Sequence, residues 1–371
     1  MPGNSAHENR ATDAKPPEQR APASDVCVID VLPQHRFEEE RLWRYLQAHL
    51  PDFSLPASLR QFQGGQSNPT FLIETATKKF VLRKKPPGKL LPSAHLVERE
   101  YRILRALPAQ EVPIPPARLL CEDPAVIGTA FYVMDHVEGR VITGVTLPQL
   151  SPTERAAVYA DLARVAAKLH AVDFRACGLG DFGKPEGYVA RQLERWTKQY
   201  VASRADANPD MDALIAWLMA NQPTRDETAI AHGDFRIGNA ILHPTQPRII
   251  ALLDWELATL GHPLSDVAYA CMFYHMPQGP GIGGGLEGLD LQALGIPAEQ
   301  EFLDSYCRHS GRTEIPDWTF FLAFSFFRMA AITQGVYSRA LQGNAADERA
   351  IGYGAAAKIF AAIGRRLAHG G

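Results

Sequence analysis

The sequence predicts an α+β fold of two lobes, an antiparallel β-rich N-terminal lobe with one key helix and a mainly α-helical C-terminal lobe. Three observations predict it. Short β-prone runs crowd the stretch from Leu59 to His136, separated by Gly, Asn and Pro. From Thr153 onward apolar residues recur at helical spacing instead, as in Tyr159, Leu162, Val165, Ala166 and Leu169. The chain has 371 residues, 46% hydrophobic and 21% charged, which suffices for two lobes sharing a cleft.

Residues 1–30 read as a disordered tail, because Met1 to Ser24 is rich in Pro, Ala, Glu and Arg and offers nothing to bury. The N-terminal lobe is expected over 31–136. Leu42, Tyr45, Leu46, His49 and Leu50 follow helical spacing until Pro51, giving a helix over 37–50. Leu59 to Gln63, Thr70 to Thr75 and Lys79 to Arg83 read as a strand meander. Ser93 can cap a helix running to Leu107, and the prolines from Pro113 to Pro116 then lead into an extended pair ending at Phe131 to His136. The C-terminal lobe, 137–371, holds further helical patterns over Pro185 to Tyr200, Met211 to Asn221, Pro297 to His309, Ile315 to Leu341 and Ile351 to Leu367.

Composition excludes several functions. A net charge of -3, with Arg83-Lys84-Lys85 as the longest basic cluster, leaves no footprint for nucleic acid. No run reaches the roughly 18 uncharged apolar residues of a membrane span, since Arg328 interrupts Phe320 to Ile332. The five cysteines form no CxxC pair and read as free thiols of a reducing, cytoplasmic compartment. Gly279 to Gly288 lacks an entering strand and a following Lys-Ser/Thr, so it reads as a surface loop, a candidate lid, and not as a phosphate loop.

The chemistry concentrates in His232-Gly233-Asp234-Phe235-Arg236-Ile237-Gly238-Asn239, followed by Ala251-Leu252-Leu253-Asp254-Trp255-Glu256. Ile241-Leu242 and Ile249 to Leu253 read as two strands of a hairpin, which brings Asn239 at one end beside Asp254 at the other. That oxygen-only pair suits Mg²⁺, which completes its shell with water and phosphates. Asp234 is then free to orient a hydroxyl and take its proton, the role a carboxylate plays in phosphoryl transfer.

HGDxxxxN with an Asp-Trp-Glu fifteen residues beyond Asn239 resembles the catalytic signature of the aminoglycoside phosphotransferase family, relatives of protein and choline kinases. The resemblance extends from about Leu59 to Ala270. It implies a protein-kinase-like fold with an ATP cleft between the lobes, ATP and Mg²⁺ as cofactors, and a small-molecule hydroxyl as acceptor. Phe80-Val81-Leu82-Arg83 resembles the strand that ends in the phosphate-binding Lys, with Arg83 in its place; Lys84 and Lys85 read as solvated surface charge. Of the two acids that could pair with it, Glu100 lies within the stripe of Leu96, Ile103, Leu104 and Leu107 and Glu98 on the far side, so Glu100 is chosen. Gly64 to Thr70 stands where the family has its phosphate-covering loop, with Gly65, Ser67 and Asn68 as contacts, although a plain hairpin turn has the same look. Phe131 to Val137 resembles the adenine hinge, through backbone groups of Asp135 and Val137, or else an interior strand and linker. His232 is assigned to orienting the catalytic loop and Asp266 to capping or bracing it.

Phe80 to His95 also resembles the kinase-like domain fused to certain acyl-CoA dehydrogenases. That implies a hydroxy acid or hydroxyacyl-CoA acceptor and coupling to a separate dehydrogenase. Arg195 and Arg328, interleaved with aromatic residues, are candidate contacts for such an anionic acceptor. An aminoglycoside resistance kinase and a nucleotide-binding pseudokinase are the alternatives; the intact Asp234, Asn239 and Asp254 set speaks against the latter.

Overall fold

The structure, a computed structural model, describes residues 27–63, 68–86, 96–107, 112–279, 284–342 and 348–370. Six strands form one antiparallel sheet: β1 (Val28–Ile29), β2 (Ala57–Phe62), β3 (Thr70–Thr75), β4 (Lys79–Lys84), β5 (Ala117–Cys121) and β6 (Phe131–Asp135), in the order β1-β2-β3-β4-β6-β5. With them come α1 (Glu39–His49), α2 (Val97–Ala106) and the single turn α3 (Pro124–Ile127). The tail expected over 1–30 therefore ends too late by the sequence reading. The β-branched pair Val28 and Ile29 adds an edge strand opposite Phe62 and Gln61. Residues 1–26 lie outside the described residues.

Alternation along β4 divides the sheet's two faces. Phe80 and Leu82 join Leu42, Leu46, Phe71, Phe131 and Val133 in a core closed by α1. Val81, on the other face, joins Ile103 and Leu104 of α2 and Tyr132 in the larger core that continues into the helical part of the chain. Lys84 follows Phe80 and Leu82, as alternation requires, but it is not the solvated charge the sequence suggested. It is 5% exposed, with Nζ 5.3 Å from the centre of the Phe37 ring, and burial lowers its pKa. The covering of that face by residues before α1 is a tertiary event that alternation does not report.

The remaining strands are β7 (Arg140–Val141), β8 (Ala229–Ala231), β9 (Ala240–Leu242), β10 (Ile249–Leu252) and β11 (Thr259–Gly261). The helices are α4 (Pro152–His170), α5 (Tyr188–Ser203), α6 (Pro209–Ala220), α7 (Pro263–Cys271), the short α8 (Leu291–Leu294), α9 (Glu299–Ser310), α10 (Trp318–Leu341) and α11 (Tyr353–Ala368). α4 begins with a capping box, Ser151 Oγ accepting from Glu154 N–H while the Glu154 carboxylate accepts from Ser151 N–H at 2.9 Å, and Pro152 supplies the first turn. α10 is long and apolar enough to cross a membrane, yet 72% of its apolar window is buried, packed against α11, α5, α7 and α6.

Two ribbons position the polar segments of the chain. β9 and β10 pair as the expected hairpin, Leu252 opposite Ala240, so that Asn239 and Asp254 flank the same end. β8 pairs with β11, Ala231 opposite Thr259, which sets the segment after Ala231 beside the segment before Thr259.

Phe80 is fully buried against Phe53, ring centres 6.3 Å apart. Phe80→Ala is expected to lower the unfolding free energy by about 3–5 kcal/mol in urea denaturation. A loss below about 1 kcal/mol would contradict this packing.

Candidate active site

The loop after β8 is held by a buried carboxylate. Asp266, on the first turn of α7 and 1% exposed, accepts from His232 N–H at 2.6 Å and from Gly233 N–H at 2.9 Å. Burial pushes its carboxyl up, but the hydrogen bond and charge of His170, the neighbouring His232 and the backbone donors outweigh this and hold it below its ordinary value. His170 Nε2 lies 3.4 Å from Asp266, and its Nδ1 lies 2.9 Å from the Tyr306 hydroxyl. Since the carboxylate can only accept, Nε2 carries a proton toward Asp266, and Nδ1 shares its hydrogen bond with the Tyr306 hydroxyl. His232, fully buried, completes the loop by placing Nε2 2.9 Å from Leu253 O. Both sequence assignments, His232 and Asp266 as loop supports, correspond to these contacts.

Gly233 turns the chain in the left-handed region, φ 83°, where a Cβ would stand 2.6 Å from Leu257 O. Asp234 follows the turn with its side chain 18% exposed. Asn239 Nδ2 donates to Asp234 O at 2.9 Å and to Asp234 Oδ2 at 2.7 Å, and Arg236 Nε stands 3.3 Å from Oδ1. Asn239 thus holds Oδ2 of Asp234, and Arg236 faces Oδ1.

Those same bonds fit the pair Asn239 and Asp254 to a magnesium ion. Both acceptors on Asp234 demand the Asn239 NH₂ on their side, which turns Asn239 Oδ1 away from them. Leu253 N–H donates to Asn239 O at 2.8 Å and ties the two segments together. Asp254, at φ 65°, turns out of the strand with its side chain 36% exposed. The donors are hard oxygens without nitrogen or sulfur. Among the described residues no group of three His, Cys, Asp or Glu could cage an ion alone. The site is therefore of the kind that water and substrate phosphates complete.

Arg83 faces this pair from β4. Its Nη1 lies 3.3 Å from Glu100 Oε2, its Nη2 3.0 Å from Asp254 Oδ1 and 3.9 Å from Glu256 Oε2. Among the described residues Arg83 Nε is buried without a hydrogen-bond partner. The choice of Glu100 over Glu98 holds: Glu98 pairs with Lys85, while Glu100 is 1% exposed inside the apolar stripe. Burial pushes the Glu100 carboxyl upward against the pull of Arg83, of Tyr132 OH at 3.0 Å and of Asn68 Nδ2 at 2.7 Å. Arg83 keeps its charge, burial being outweighed by the anionic surroundings.

Other expectations meet mixed outcomes. Asn68, anticipated as a nucleotide contact, is fully buried and directs its amide to Glu100, so it anchors the acid instead. Gly65 and Ser67 lie outside the described residues, as do residues 280–283 of the candidate lid. Asp135 N–H donates to Pro116 O at 2.9 Å and its carboxylate pairs with Lys78 and Arg118; Val137 lies two residues on, half-buried. Arg195 is exposed, its guanidinium 5.4 Å from the Trp196 ring. Arg328, read as an acceptor contact, donates through Nη2 to Gly233 O at 2.6 Å. That bond commits one nitrogen of its guanidinium to the loop backbone.

Sequence reasoning missed Tyr132, Arg236, His170 and Tyr269. Tyr132 sits opposite Arg83 in the β4–β6 register, which strand prediction alone does not supply. Arg236 stood inside the motif and its spacing two residues after Asp234 was the available signal. Tyr269 lies one turn after Asp266 on α7; burial and then the charge of Asp234 push its hydroxyl well above its ordinary range.

Comparison with known proteins accords with this geometry. The model of a phosphotransferase enzyme family, APH, matches residues 58–303. The chain is 45% identical over 328 residues to acyl-CoA dehydrogenase family member 11 of Rattus norvegicus, a match covering 86% of this chain and 42% of that protein. It thus spans less than half the length of the curated relatives it matches. A crystal structure from Ralstonia eutropha JMP134, described as a "putative aminoglycoside phosphotransferase", superposes with a TM-score of 0.83 at 45% identity, over 90% of this chain and 99% of that one. Aminoglycoside phosphotransferase APH(4)-Ia, solved with AMP-PNP and hygromycin B, shares the fold at a TM-score of 0.58 and 16% identity, over 89% of this chain and 99% of that one.

His262 caps α7 through Nδ1, which accepts from Leu264 N–H at 3.2 Å, and its ring stacks on Phe321. Burial lowers its pKa from 6.5 to about 4. A histidine held neutral in the folded state contributes its stability above pH 6.5 and loses it as pH falls toward 4. Thermal melts between pH 7 and pH 4.5 are expected to show a decline worth up to about 3 kcal/mol. His262→Asn, which keeps a cap acceptor, should flatten it; an unchanged slope would contradict the assignment.

Proposed function

The chain belongs to the APH phosphotransferase family, has its kinase-like two-lobed fold and is a phosphotransferase; from that premise we propose that it moves the γ-phosphoryl group of ATP to a hydroxyl of a small molecule. The observation that carries this is Asp234, held by Asn239 at 2.7 Å on a loop braced by Asp266. In this reading the Asp234 carboxylate accepts the hydroxyl proton as the acceptor oxygen bonds to phosphorus. The bond to the bridging oxygen breaks and ADP leaves. Asn239 and Asp254 would hold Mg²⁺, which when bound would neutralise charge on the phosphates. Arg83, steadied by Glu100, exchanges its contact with Asp254 for a phosphate oxygen, and its orphaned Nε supplies a further donor.

For the acceptor we favour a hydroxy acid or hydroxyacyl-CoA. The identity to a rat protein named for acyl-CoA dehydrogenation supports it, as does the guanidinium of Arg236 beside the base and that of Arg195 on the helical face. In that case the product passes to a dehydrogenase on another chain or segment. An aminoglycoside acceptor is the second reading, favoured by the description of the Ralstonia structure; it requires that expression raise the tolerated drug concentration.

A panel of hydroxy acids, hydroxyacyl-CoAs and aminoglycosides, assayed for acceptor-dependent ADP release, tests the proposal. Asp234→Asn is expected to lower kcat about 10²–10⁴-fold with nucleotide affinity nearly unchanged. Asn239→Ala should raise the Mg²⁺ concentration needed for half-maximal rate by about tenfold or more. An Asp234→Asn enzyme as fast as the unaltered protein would sink the proposal.

A further inference from the structure

Arg328 is a charged residue in the middle of the long, largely apolar helix α10, between Phe327 and Met329. Its guanidinium meets one carbonyl and two aromatic faces: Gly233 O at 2.6 Å, the Tyr269 ring at 5.4 Å and the Trp196 ring at 6.0 Å. The bonded carbonyl belongs to the peptide that joins Gly233 to Asp234. The two preceding N–H groups, of His232 and Gly233, are taken by Asp266. Three backbone groups ahead of the base are therefore held by charged side chains, an anion on the donors and a cation on the acceptor, each bond charge-assisted.

We propose that Arg328 is a positioning residue for phosphoryl transfer, acting through the Gly233 carbonyl to aim Asp234. Gly233 is where such a hold is needed. Its left-handed turn admits no other residue without strain, and glycine has the widest backbone freedom of any. Asp266 fixes the chain up to the Gly233 nitrogen. The rotation beyond its α-carbon turns the peptide that leads to Asp234, whose carbonyl Arg328 grips at 2.6 Å while its N–H donates to His232 Nδ1 at 3.3 Å. Tyr269 and Trp196 complete the device by packing on the guanidinium, and Tyr269 comes from the same helix as Asp266 one turn on. The clamp therefore closes α5, α7 and α10 around one peptide.

The role rests on Asp234 being the base of the proposed reaction, and the test separates the two. Arg328→Met and Arg328→Lys are compared with the unaltered full chain for ADP release from Mg-ATP, with water alone and with any acceptor found. Hydrogen–deuterium exchange is followed over residues 230–240. Arg328→Met is expected to speed exchange of that segment, and to lower kcat, by about tenfold or more, with the KM for ATP and acceptor within about threefold. Arg328→Lys, which keeps a cation but not the planar fork, should fall between. Loop exchange equal to that of the unaltered protein, or a raised acceptor KM with kcat preserved, would overturn the inference. If Arg328→Met does not fold, Arg328→Lys carries the same readouts. Were Asp234→Asn fully active while Arg328→Met still loosened the loop, the functional reading would fall and the positioning of the loop by Arg328 would stand.

Discussion

A carboxylate buried at 1% exposure needs donors, and Asp266 finds them in the consecutive N–H groups of His232 and Gly233. Much of the site follows from that constraint. Two backbone groups drawn to one carboxylate force the chain through a left-handed turn, which only glycine makes without strain. The turn delivers Asp234 outward. Asn239 then reaches back to Asp234, and its backbone carbonyl receives Leu253 N–H, so the proposed base and the segment leading to Asp254 are fixed by one run of bonds. His170 and Tyr306 extend the run from Asp266 to α9, which ties the catalytic loop to the helical core.

The second constraint is a buried ion pair, Arg83 with Glu100. Removing two charges from water is costly, and such a pair contributes little net stability unless further donors satisfy it. Tyr132 and Asn68 serve that purpose on Glu100. Arg83 keeps one edge for Asp254, so a single guanidinium joins the sheet to the segment that carries Asp254. An arginine suits this double duty better than a lysine, because its planar fork serves two carboxylates at once.

Legibility in the sequence tracked the range of each interaction. The HGDxxxxN loop and the β9–β10 hairpin are local, and residue spacing alone placed Asp234, Asn239 and Asp254 together. Helical phase likewise separated Glu100 from Glu98, since both lie on one element. Failures came where a distant element decides. Lys84 was assigned its strand face correctly, but Phe37 covers that face. Asn68 stood in a loop suited to phosphate, yet Glu100, thirty-two residues on, claims its amide. The bond of Arg328 to the loop went unread because its partner, ninety-five residues earlier, is a backbone carbonyl that no side-chain pattern announces. The edge strand at Val28 was hidden because two residues carry no periodicity.

The account is tested most directly by a crystal structure of the protein with Mg²⁺ and a non-hydrolysable ATP analogue. It predicts a metal ion held by Asn239 Oδ1 and Asp254, Arg83 on a phosphate oxygen, and the terminal phosphoryl group facing Asp234 across room for a hydroxyl. A nucleotide bound with its phosphates away from Asp254, or a metal held by other side chains, would contradict it.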